Sequence, residues 1–211
     1  MPAIRFSFPY SSFLKLFLSL TGNFSSFNTS MDEIENTGDQ FERIIRKCRQ
    51  IFLTKMKDYG SAWRILRTSS ITDQIYIKAN RIRSIDTKGI QKVNEGIVPE
   101  YIGIVNYSVM ALIQLELAGN QELAIDIKEA ETLYNKYIYM ARDLMMNKNH
   151  DYGEAWREMR LSSLTDIILM KLMRIKQIED NNGRTFISEG VDSNYFDIIN
   201  YSIFALIKLE E

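Results

Sequence analysis

The stretch KMKDYGSAWRILRTSS, residues 55–70, returns as KNHDYGEAWREMRLSS at residues 148–163. Ten of the sixteen aligned positions are identical, and the chain's two tryptophans, Trp63 and Trp156, fall at the same one. Working outward, each copy is preceded by apolar residues at helical spacing, as in FERIIRKCRQIFLTKM over 41–56. The second copy follows a longer helical pattern over 121–147, after the break at Gly119 and Asn120. Gly60 and Gly153 are placed to end these helices, and the Ala-Trp-Arg that follows fits a short helical turn. Ser70-Ile71-Thr72-Asp73 and Ser163-Leu164-Thr165-Asp166 match a capping box, which predicts new helices running to about 86 and 179. After glycine-containing loops, PEYIGIVNYSVMALIQLE and SNYFDIINYSIFALIKLE close the copies with nearly all-apolar helices, Pro99 suiting a first turn.

The pattern is therefore an internal duplication, a first helical repeat over 31–119 and a second over 120–211. Each repeat has three main helices and one short one. A half of this size has a marginal core alone, so the fold class expected is an all-α bundle in which the two halves pack as one domain about a pseudo-twofold axis. Residues 1–30 stand apart, with no Asp or Glu, seven aromatics and seven serines. We read them as a disordered extension or an upstream-start artefact, because Lys15 interrupts the only apolar run and no small-residue cleavage site follows.

Composition limits the function classes. A formal net charge of −1 provides no general attraction for nucleic acid or an anionic membrane, which argues against a non-specific nucleic-acid partner. The single cysteine, Cys48, lies in an apolar helical pattern and reads as a small core residue in a cytoplasmic, reducing setting. The single histidine, His150, has Lys57 as its counterpart and reads as solvated. Neither a histidine-rich metal site nor a Ser-His-Asp triad has the residues it needs.

The chemistry-bearing residues recur in both copies: Lys55, Asp58, Tyr59, Trp63, Arg64, Lys78, Arg81 and Asn106, and Lys148, Asp151, Tyr152, Trp156, Arg157, Lys171, Arg174 and Asn200. Lys78-x-x-Arg81 and Lys171-x-x-Arg174 each lie on one helix face, an arrangement that clamps a phosphate or equally carries its charges into water. Arg64 and Arg157 are further phosphate candidates. Trp63 and Trp156 either stack on a base or fill the joint between helices. Asp58 and Asp151 accept from a ribose or base, or from backbone amides of the turn. Asn106 and Asn200 interrupt apolar helices and must find partners in a loop, a helix or a ligand. Asp73 and Asp166 read as cap residues, and Glu122, Asp126 and Glu129 as an acidic stripe on a solvated helix face.

The ordered set of Lys-x-x-Asp-Tyr-Gly, Ala-Trp-Arg, Lys-x-x-Arg and Asn-Tyr resembles the nucleotide-modification-associated domain 1 family, twice over and across most of residues 41–210. The resemblance implies an α-helical module connected with modified-nucleotide systems and supplies no reaction. A weaker likeness is to the all-α nucleoside-triphosphate pyrophosphatases, which hold Mg²⁺ on carboxylates in E-E-x-x-E and E-x-x-D patterns. The nearest approach in the terminal helix here is Asp197-Ile-Ile-Asn200, whose oxygens lie three apart on one face; the first copy has Gly103 in place of Asp197. The expectation is a protein that binds a nucleotide or related phosphate ligand, with Mg²⁺ at Asp197 and Asn200 and hydrolysis of a phosphate anhydride as the reaction to test. The alternative is a non-enzymatic helical protein-interaction module. Homo-oligomerisation is compatible with either.

Overall fold

A computed structural model describes residues 36–89, 96–120, 122, 124–181, 183 and 190–211. The expectations for residues 1–30, and much of those for the two glycine-containing loops, lie outside these residues. The described residues form six α-helices and no strand: α1 Thr37–Tyr59, α2 Thr68–Lys88, α3 Val98–Glu116, α4 Ile127–Tyr152, α5 Leu161–Asp180 and α6 Val191–Glu210. Short 3₁₀ turns, Ala62–Ile65 and Ala155–Glu158, carry the two Ala-Trp-Arg sequences. The order helix, 3₁₀ turn, helix, helix therefore occurs twice, as the repeat predicts.

Side-chain caps start the first helix of each copy. Asn36 accepts from the Asp39 amide at 3.1 Å and Asp126 from the Glu129 amide at 2.8 Å, each taking one of the orphan donors of a first turn. Asp126 is thus a cap and Glu122 precedes the helix, so the expected acidic stripe does not form on one face. Gly60 and Gly153, both at φ 59°, end α1 and α4 in a conformation that a Cβ disfavours. The anticipated capping boxes do not form either. The 3₁₀ turns deliver the chain in extended backbone at Leu66 and Met159, and α2 and α5 begin three residues early, with the carbonyls of Arg67 and Arg160 accepting from the Ser70 and Ser163 amides at 3.0 Å.

The two near-apolar helices, α3 and α6, lie against each other at the centre, flanked by α2 and α5, with α1 and α4 packed on them. Cys48 is fully buried, and desolvation pushes its thiol up to about 12, so it is an inert core residue as read from the pattern. His150 is solvated, with its side chain 89% exposed.

The contacts that join the halves are reciprocal. The Thr72 hydroxyl meets the Tyr195 hydroxyl at 2.7 Å, and the corresponding Thr165 meets Tyr101 at 2.7 Å. Asp73 pairs with Lys176 at 2.5 Å, and its counterpart Asp166 lies 3.8 Å from Arg83, the counterpart of Lys176. Such exchange, in which residue i meets j and j meets i, is the pattern of a self-complementary contact between like units. It also shows that Asp73 and Asp166 serve as cross-half ion pairs, not as caps.

Candidate functional site

Each half has a cavity walled by the end of its first helix, its 3₁₀ turn and its last helix. The second-half cavity measures about 360 Å³ and is lined by Lys148, Tyr152, Trp156, Asp197 and Asn200 with Asn149, Met159, Tyr201 and Phe204 among its neighbours. The first-half cavity, about 490 Å³, is lined by the counterparts Lys55, Tyr59, Trp63, Gly103, Asn106 and Tyr107, and by Lys78. Both volumes fall in the range of small-molecule sites. The repeated phrase brings its Lys, Tyr and Trp together because the glycine-ended helix presents Lys and Tyr one turn apart while the 3₁₀ turn folds Trp back beneath them.

At the second cavity, Lys148 in the wall donates to Asp197 at 2.7 Å, and Lys171, outside the lining, lies 2.6 Å from the other carboxylate oxygen. The Asp197 side chain is only 8% exposed. Burial pushes its carboxyl up, and the hydrogen bonds and charges of the two lysines more than reverse this, leaving it below its ordinary value. In the first half the acid has moved by one turn. Gly103 stands where Asp197 would be, and Glu100, the counterpart of Asn194, takes Lys78 at 3.1 Å and Arg81 as well.

The polar groups of the two cavities differ in the same direction. Asn106 donates to the Cys48 carbonyl at 3.1 Å and accepts from the Tyr134 hydroxyl at 2.8 Å. Asn200 Oδ1 is buried with no partner among the described residues, and Phe41 occupies the position corresponding to Tyr134, so no hydroxyl is supplied there. The Trp63 Nε1 hydrogen points to the Met56 sulfur at 3.4 Å, whereas Trp156 Nε1 is buried and unpaired. A buried donor and a buried acceptor without partners carry a real desolvation cost, and both belong to side chains lining one cavity.

Several expected ligand contacts are not brought to the cavities. The Trp156 ring is stacked on Phe204, with centroids 4.3 Å apart and planes 2° from parallel, and the Arg157 guanidinium covers its other side at 4.4 Å. With both faces taken it cannot stack on a base. Arg157 is spent on structure: it donates to Glu154 at 2.7 Å, to Thr37 and Gln40 at 2.7 Å each, and to Glu211 at 2.9 Å. Glu154, at φ 57°, holds a left-handed conformation to make that contact and also bonds Thr37. Arg64 is buried and bonds Gln114. Arg174 lines neither cavity, and Asp58 and Asp151 lie exposed in the last turns of α1 and α4 with no backbone bond from the turn. Tyr59 and Tyr152, by contrast, stand at the cavity mouths, 57% and 73% exposed.

Mg²⁺ does not fit this donor set. Both oxygens of Asp197 face ammonium groups, so the one carboxylate through which the ion would be held is already neutralised, and Asn200 offers only a neutral oxygen. Among the described residues no three His, Cys, Asp or Glu side chains group for a metal. Residue patterns missed Asn149, Met159 and Tyr201 in the cavity wall; the Asn-Tyr-Ser common to both last helices was the available signal for Tyr201. No helix among the described residues is long and apolar enough to cross a membrane.

The pattern of the family described as nucleotide modification associated domain 1 fits residues 55–115 and, again, residues 148–209. No curated protein and no solved structure matches the chain significantly.

Proposed function

Because the chain belongs to the nucleotide modification associated domain 1 family, with that domain present twice, we propose that its second-half cavity binds a nucleotide or nucleotide-like ligand. One observation carries the reading: Trp156 Nε1 and Asn200 Oδ1, a donor and an acceptor, are buried without partners among the described residues, on side chains that line the same cavity. A heteroaromatic base edge offers the complementary acceptor and donor, and gaining them relieves two unmet groups at once. Tyr152 at the mouth takes the contact with a base face that Trp156 cannot make. Lys171, which lies 2.6 Å from one Asp197 oxygen, keeps further ammonium donors for phosphate oxygens, and Lys148 adds its positive charge at the cavity wall. The reading is of binding; no residue here is assigned a catalytic role.

The test is a titration of the Trp63→Phe variant, in which Trp156 is the only indole. Ribo- and deoxynucleotides are added with and without Mg²⁺, and emission is followed. Saturable, base-selective change is expected, weakened at least tenfold by Asn200→Ala and reduced by Lys148→Ala. An emission spectrum that no nucleotide alters, from a protein folded by circular dichroism, overturns the reading. An effect of Mg²⁺ on hydrolysis of the added nucleotide would bring back the metal-dependent reaction expected from sequence.

A further inference from the structure

The two cavities are built from the same backbone positions, yet one contains a carboxylate that the other lacks. In the second half the Asp197 carboxylate sits between the ammonium groups of Lys148 and Lys171, within 2.7 Å of each. In the first half the corresponding lysines, Lys55 and Lys78, both line the cavity, and the corresponding position is Gly103, with no side chain at all. Lys78 lies directly over that glycine: its Nζ is 3.1 Å from where a Cβ would stand. It reaches out of the cavity to Glu100, while Lys55 makes no ion pair among the described residues. Asp197 therefore shows, inside the same molecule, what the first-half site would hold if filled.

We propose that the first-half cavity is a separate binding site for a small organic anion, whose phosphate or carboxylate head takes between Lys55 and Lys78 the place that the Asp197 carboxylate takes between Lys148 and Lys171. Two further features specify the ligand. The rest of the cavity is apolar and aromatic, with Trp63, Ile102, Tyr107 and Met110 in its walls, which calls for an apolar body behind the charged head. The polar groups deep in this cavity are already satisfied, Asn106 by Cys48 and Tyr134 and Trp63 by Met56, so the body needs no base-like hydrogen-bonding edge. The anion site thus differs in kind from the second-half cavity and stands whether or not that cavity takes a nucleotide.

The experiment uses the full chain carrying Trp156→Phe, so that Trp63 alone reports. It is titrated with phenyl phosphate, benzoate and inorganic phosphate. Saturable change with phenyl phosphate or benzoate is expected, the better of the two identifying the head group, together with at least tenfold weaker binding of inorganic phosphate. Gly103→Asp, which supplies the missing carboxylate from the chain itself, should abolish the response. Lys55→Ala, at an exposed position with no ion pair among the described residues, should weaken it at least fivefold while leaving the melting temperature unchanged. Binding that is undiminished in Lys55→Ala, or a Trp63 signal indifferent to all three anions, overturns the proposal. Because Trp63 reports this site and Trp156 the other, failure of one reading is separable from failure of the other.

Discussion

Asp197 shows how a single carboxylate sets the electrostatics of a cavity. Its side chain and that of Lys171 are 8% and 14% exposed, so neither charge is well hydrated by water alone. Asp197→Asn leaves Lys171 with a neutral partner, at an expected cost of about 1–3 kcal/mol near neutral pH. The sign of its pH dependence follows from the carboxyl being held below its ordinary value. Such a group stabilises the fold above the unfolded carboxyl's pKa, and that contribution is lost as pH falls through the lower folded value. Urea unfolding of the native and Asp197→Asn proteins should therefore show a gap at pH 7 that closes progressively below about pH 4. A gap that persists unchanged into acid would mean that the lysine pair does not hold this charge. Residue types alone could not reveal this arrangement. The sequence marked Lys148, Lys171 and Asp197 separately, but their meeting depends on how α4, α5 and α6 are packed.

At the scale of elements, the last helices were the most legible. Their apolar residues run on nearly all sides, and α3 and α6 are indeed the buried pair. The glycine stops at Gly60 and Gly153 were legible too, because positive φ has few residue choices. The starts of α2 and α5 were not, since a strong local signal lost to the path imposed by the preceding 3₁₀ turn. Trp156 was readable as a buried indole, but its cover by Phe204 and Arg157 comes from α6 and from the next residue's turn geometry. The contrast between α1 and α4 makes a prediction at this scale. Tyr134 on α4 satisfies Asn106, and α1 has Phe41 at the matching place. Phe41→Tyr should supply Asn200 with its missing hydroxyl, leaving the melting temperature equal or higher while nucleotide affinity falls. Destabilisation without any change in affinity would show that Asn200 Oδ1 is not what the ligand meets.

For the molecule as a whole, the duplication was plain from sixteen residues read twice, but how the halves are joined was not. Nothing in the spacing of Thr72, Tyr101, Thr165 and Tyr195 shows that each threonine serves the other half's tyrosine. Yet these contacts make neither half self-sufficient. Separate chains of residues 36–119 and 120–211 should each expose the faces of their central helices and leave those hydroxyls without their partners. Mixed together they should reassemble, giving a 1:1 complex by analytical ultracentrifugation and a cooperative melt that neither piece shows alone. Two independently folded, monomeric halves would contradict the reciprocal packing.

The same hydroxyl pairs also constrain the order of events during synthesis. Tyr101 and Thr165 are 64 positions apart, and Thr72 and Tyr195 are 123 apart. A chain emerging from the ribosome can form its first helices early, because their contacts are local. The core between α3 and α6 cannot close until α6 has left the exit tunnel. Until then the apolar sides of α2 and α3 wait for partners still being translated, a window in which a nascent chain is open to misassociation with its neighbours.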